Sequence, residues 1–159
     1  MLRRFRIAIR LLRAEEGVSA IEFGFIAPLL ALLVMGIIDF GMGIWHDMQV
    51  ANAAEAGAAF ASVNGWNATA SQIQNAVTSA TSLSTIEASP APWIMSCGCP
   101  NSASTGITQT TCGTPCPDGS EAGHYWVVSA QDSYSMILPY PGIANPMSLN
   151  ATDYARLYP

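Results

Sequence analysis

Lysine is absent from this sequence, and charge of either sign is scarce: Asp, Glu and Arg make up 11% of 159 residues. Arg3, Arg4, Arg6, Arg10 and Arg13 hold all but one of the six cations. Beyond Gly17, Arg156 alone faces nine acids, a formal net charge of −8. That remainder has no basic patch to neutralise phosphates, which argues against nucleic-acid binding. A phosphate-binding glycine loop, a metalloprotease helix motif and a nucleophile elbow are also missing. His46, His124 and scattered carboxylates are the acid–base candidates that remain. His124, Ser129 and Asp132 have the residue types of a hydrolytic trio without a supporting spacing, so His124 reads as a strand residue. His46 reads as an interface residue beside Trp45. Neither an enzyme nor a cofactor is expected.

Cysteine is absent before position 97, and then Cys97, Cys99, Cys112 and Cys116 fall in one Gly/Ser/Thr/Pro-rich stretch. Clustered cysteines of this kind suit an oxidising compartment. A bridge from Cys97 to Cys99 across one residue would be strained, so each is expected to bond Cys112 or Cys116, and both such pairings stay open. Each bridge would contribute about 3 kcal/mol in the chain-entropy model. Zinc ligation by the four thiolates is a competing reading, but structural zinc sites usually place two residues between the cysteines of each pair. No metal is expected.

What the chain does have is an apolar run, Val18 to Ile44. Its 27 residues span roughly 40 Å as a helix, enough to cross a hydrocarbon layer of about 30 Å. Arginines before it and acids after it predict a cytoplasmic N-terminus and an exported remainder by the positive-inside rule. The run is too long for a secretory signal and lacks an Ala-x-Ala-type site at its far end. Asp39, the second acid of the run, is expected at the outer interface.

The informative junction precedes the run, at Gly17-Val18-Ser19-Ala20-Ile21-Glu22-Phe23. An acid inside an apolar helix costs up to about 3 kcal/mol and usually has a partner or a task. A short basic leader ending in Gly, followed by an apolar helix with Glu at its fifth position, resembles a type IV prepilin. Cleavage after Gly17 would make Glu22 that fifth residue and Phe23 the sixth. The new Val18 amine would then neutralise Glu22, on a neighbouring subunit. In the competing reading, Glu22 marks the headgroup interface of an ordinary anchor. Ala20, Gly24 and Pro28, and likewise Ala27 and Ala31, recur every four residues and would let helices approach closely. Pro28 removes an N–H and crowds the Gly24 carbonyl, which predicts a kink or loosened turn from Gly24 to Pro28.

With Ala27-Pro28-Leu29-Leu30, Gly36-Ile37-Ile38-Asp39-Phe40-Gly41 and the Ala-rich stretch Met48 to Ala59, the pattern resembles the TadE-like family of tight-adherence (Tad or Flp) pilus proteins. Many members carry Arg near the position of Ala59, and this sequence does not. Tyr125 to Ala130 and Asp153 to Pro159 are similar to the family's closing strands. The resemblance implies a minor pseudopilin of the inner membrane, cut by a prepilin peptidase. Its partners would be the major pilin, sibling minor pseudopilins, the assembly platform and the lipid bilayer. The alternative is an unprocessed single-pass anchor displaying an extracytoplasmic binding domain.

The expected order is a leader at 1–17, a membrane helix at 18–44, an exported continuation at 45–63 and a small α+β domain at 64–159. Asn64-Gly65 terminates the rod near Val63. Thr69 or Ser71 caps a second helix with Ile73, Val77 and Ala80 on one face, ending near Ser84. Prolines make Ser89 to Gly123 loop-like, without helix or long strand, the cysteine-rich loop itself spanning 96–123. Strands are expected at His124 to Ala130, Tyr134 to Leu138 and Leu149 to Leu157, forming an antiparallel, pilin-like sheet beside the helix. The matches to the glycosylation pattern at Asn67 and Asn150 are assigned no role.

Overall fold

The computed structural model describes residues 16–101 and 106–158. The arginine-bearing part of the expected leader, 1–15, lies outside them. The chain forms two compact units, Met1–Gly41 and Met42–Pro159. One helix, α1 (Glu16–Asn64, 49 residues), supplies all the described residues of the first unit and opens the second. With a single long apolar helix followed by an antiparallel sheet and two disulfides, the fold class is α+β.

Helix α1 ends where its sequence stops favouring a helix. Gly65 takes φ +53°, a left-handed conformation that costs glycine little, and begins a short 3-10 turn, Gly65–Asn67. The Trp126 indole N–H donates to the Gly65 carbonyl at 3.2 Å, tying the end of the helix to the sheet. Helix α2 (Ala70–Ser79) starts with a capping box: the Thr69 hydroxyl accepts from the Gln72 amide, and the Gln72 side chain accepts from the Thr69 amide. Its buried residues are Ile73 and Val77, two of the three expected. It stops at Ser79, short of Ser84. The Thr78 and Ser79 hydroxyls bond back to the carbonyls of Gln74 and Asn75, and Thr81, Ser82 and Ser84 that follow are weak helix formers.

Four strands, β1 (Trp93–Pro100), β2 (Ile107–Gln109), β3 (Gly123–Tyr134) and β4 (Met147–Leu157), form an antiparallel sheet in the order β2-β1-β3-β4. The eight residues of β1 correct the expectation that Ser89 to Gly123 holds no long strand. Its prolines do not interfere: Pro90 and Pro92 precede the strand, and Pro100 is its last residue, beyond the last pairing with β3 at Gly98. A register shift between Met95 and Gly98 lets the strand pass between its two neighbours.

Strand β3 runs unbroken to Tyr134, so the separate strand expected at Tyr134 to Leu138 does not form. Past Tyr134 the backbone finds a side chain instead of a strand. Met136 N–H donates to Asn145 Oδ1 at 3.0 Å, and Asn145 Nδ2 donates back to the Met136 carbonyl at 3.2 Å. On the side of β3 away from β4, Glu87 and Gln131 exchange backbone hydrogen bonds at 2.9 and 2.8 Å, continuing the cover that β1 gives further along.

The core of the second unit is built from small residues. Val50, Ala53, Ala54, Ala58 and Ala61 of α1 are buried with Ile73 and Val77 of α2 and with Trp126, Val128 and Ala130 of β3. Gly57 marks the closest approach. A Cβ there would lie 2.5 Å from Val77 Cγ2 and 2.7 Å from Val128 Cγ1.

Candidate functional site

From Ser19 to Ile38 the side chains of α1 are left uncovered within the chain, Phe25 to 80%, Ile37 to 74% and Phe23 to 67%. The most apolar 18-residue window has a mean hydropathy of 2.4, and none of it is buried. A core helix of a water-soluble domain would bury such a window. This one is long and apolar enough to cross a membrane and is a candidate anchor. Glu22 is exposed on this surface beside Phe23. Gly17 and Val18 lie in the first turn of α1, with Val18 one helical turn, about 6 Å, before Glu22. The helix continues through Pro28, and a Cβ at Gly24 would meet nothing within 4 Å. Asp39 is the buried residue among the described side chains of this unit, at 1% exposure.

At the far end of the sequence the four expected cysteines form two bridges, Cys97–Cys112 and Cys99–Cys116, with Cα–Cα distances of 5.2 and 5.5 Å. Cys97 and Cys99 sit on β1, whose pairing with β2 and β3 positions them, and the bridges secure residues 110–122 to that strand. Within this stretch Cys116 N–H donates to the Ser120 carbonyl at 2.8 Å, and Asp118 accepts from the Ser120 amide and hydroxyl. Those bonds, the side-chain one foremost, hold the Asp118 carboxyl below its ordinary range.

Residues 17–59 match the family described as TadE-like protein. The match covers the apolar helix and the Ala-rich stretch that follows it, about a quarter of the chain. No curated protein and no solved structure matches the chain. The TadE-like segment contains Gly17, Val18, Glu22, Phe23, Gly24 and Pro28, whereas the cysteines lie outside it.

The structure also joins His46 of the TadE-like segment to the sheet through a polar pair that sequence reasoning missed. His46 Nδ1–H donates to Asp132 Oδ2 at 2.7 Å, joining α1 to β3 across 86 positions of sequence. The Asp132 side chain is fully buried, and His46 packs edge-on to Trp45 and against Tyr134 at ring separations of 5.2 and 4.9 Å. Burial pushes the Asp132 carboxyl up. The His46 bond, the Thr85 side chain and the Ser133 backbone outweigh that burial and hold it below its ordinary value. Its Oδ1 is buried with no partner at hydrogen-bonding geometry.

Asp132 is therefore committed to His46 and unavailable to His124, which lies eight residues along β3, about 26 Å away at strand spacing. The pair was detectable in principle. His46 continues the face of Val50, Ala53, Gly57 and Ala61, and Asp132 interrupts a buried strand, yet neither fact names the other residue.

Proposed function

We propose that this protein is a minor pseudopilin of a Tad pilus: a prepilin peptidase cuts after Gly17, and the mature subunit assembles through the helix that begins at Val18. The observation that carries this reading is the uncovered apolar helix with Glu22 five residues after Gly17. In the inner membrane the N-terminus faces the cytoplasm and residues 45–159 face outward, following the arginines at the start of the chain. Glu22 pairs with the Val18 amine of a neighbouring subunit, and Phe23 packs beside that contact. Ala20, Gly24, Ala27 and Ala31 allow close helix approach, and Pro28 loosens the turn that begins at Gly24. Its partners are the peptidase, the major pilin, sibling pseudopilins, the assembly platform and lipid, and its role is structural rather than catalytic.

Glu22→Ala tests the pairing. Removing one member of a buried charge pair strands the other, so the variant should insert into the membrane normally and fail to support piliation. Normal piliation with Glu22→Ala would refute it.

A further inference from the structure

The two disulfides differ in their surroundings. In the Cys99–Cys116 bridge both residues are 6% exposed. In the Cys97–Cys112 bridge Cys97 is 1% exposed while Cys112 is at the surface. A ring nitrogen, His124 Nε2, lies 3.4 Å from Cys112 Sγ. A sulfur in a disulfide carries no proton, so the imidazole N–H is the donor in this contact. His124 is held there from behind by Trp66, edge-on with ring centroids 4.9 Å apart. A cleft of about 400 Å³ opens onto the bridge, lined by Trp66, Cys97, Cys112, Glu121, His124 and Arg156 among others.

We propose that Cys97–Cys112 is an exchangeable disulfide whose reaction partner is an external dithiol, entering through this cleft and attacking Cys112, while Cys99–Cys116 is a permanent brace. Thiolate attack needs access to one sulfur, with the other leaving. Both cysteines line the cleft, and the exposure of Cys112 against 1% for Cys97 selects Cys112 as the attacked sulfur and Cys97 as the leaving group. In the first step a thiolate of the dithiol bonds to Cys112 Sγ, the Cys97–Cys112 bond breaks, and Cys97 leaves as a thiolate that takes a proton from the medium. In the second step the other thiolate of the dithiol attacks its own sulfur in the mixed disulfide and expels Cys112 as a thiolate. His124 Nε2–H stands beside that departing sulfur, in a cleft whose charged residues, Arg156 and Glu121, are of opposite sign. Two electrons pass to the protein, leaving Cys97 and Cys112 as thiols and the dithiol as its own disulfide. Run backwards, the same steps insert the bridge.

Cys99 also lines a cleft, of about 570 Å³. There both cysteines remain buried, and the described groups around that cleft are threonines, prolines, Asn101 and Asp118, with no cation or imidazole among them to receive a departing thiolate. The proposal rests on the unit Met42–Pro159 alone and holds whether or not the chain is cut after Gly17.

The test treats the full-length protein in detergent with limiting dithiothreitol, traps thiols with an alkylating reagent and maps them by mass spectrometry. Cys97 and Cys112 should be labelled about tenfold faster than Cys99 and Cys116, given the dependence of exchange on access. A monothiol such as glutathione should be trapped on Cys112 and not on Cys97. His124→Ala should slow release of Cys112 by about threefold or more, as expected for a lost charge-assisting donor, and His124→Gln, which keeps an N–H, should restore part of the rate. If His124 merely supports the fold, its loss would accelerate labelling of all four cysteines. That result, equal labelling of the two bridges, or trapping on Cys97 would overturn the proposal.

Discussion

Gly57→Ala should destabilise this protein, although the same change in most exposed helices is favourable. The gain from helix propensity is about 1 kcal/mol. Against it stand contacts of 2.5 Å to Val77 Cγ2 and 2.7 Å to Val128 Cγ1, where carbon atoms prefer about 3.5–4.0 Å. Both valines are fully buried, so neither can rotate into free space, and α1 must retreat from the sheet by roughly 1 Å. Overpacking of this kind costs about 1–3 kcal/mol, leaving a net loss of about 1 kcal/mol. The assay is thermal unfolding of the full-length protein in detergent, followed by near-ultraviolet circular dichroism. The midpoint should fall by about 3–5 °C for a unit of this size. A double-mutant cycle with Val77→Ala localises the cause, because removing Cγ2 relieves the shorter contact while the 2.7 Å contact to Val128 remains, so Gly57→Ala should then cost less than in the wild-type background. A rise in midpoint for Gly57→Ala in the wild-type background would refute the reasoning. So would equal effects with and without Val77.

His46→Ala should cost about 3 kcal/mol, because it leaves the buried Asp132 carboxylate without its partner; the midpoint of the same thermal transition reads this. The pH dependence has a definite sign. The folded Asp132 pKa is lowered, so its contribution is present above the unfolded value near 3.8 and is lost as pH falls through the folded value. The stability of the wild type should therefore fall more steeply than that of Asp132→Asn below about pH 4 in acid titrations monitored by circular dichroism. Thr69→Ala removes the capping hydroxyl of α2 and should lower stability by about 1 kcal/mol in thermal melts, whereas Thr69→Ser should be nearly neutral.

The parts of the fold legible in the sequence were those fixed by local chemistry. An apolar run leading without proline from Leu29 into an Ala-rich stretch and closed by Gly65 gave one long helix. Thr69, one of two candidate caps, marked the start of α2, and the spacing of four cysteines left two pairings, of which the first-to-third pattern formed. What was misread depended on distant partners. Strand β1 looked like a loop because prolines dominate its surroundings, while the pairing of Trp93 with Val127 and Ile94 with Trp126 decides its structure. Tyr134, Met136 and Leu138 alternate as a strand would, but the Asn145 side chain takes the hydrogen bonds of Met136. The contact of His46 with Asp132 was missed for the same reason, since neither residue's local pattern names the other. Glu22 drew notice in the sequence because an acid in an apolar helix is conspicuous without any partner in view; its role is the proposal above.

The most direct measurement is the N-terminal residue of the membrane-bound protein, determined with and without its prepilin peptidase. The account predicts a new terminus at Val18 that appears only when the peptidase is present. Retention of residues 1–17 in its presence would contradict it and leave an anchored binding protein as the reading.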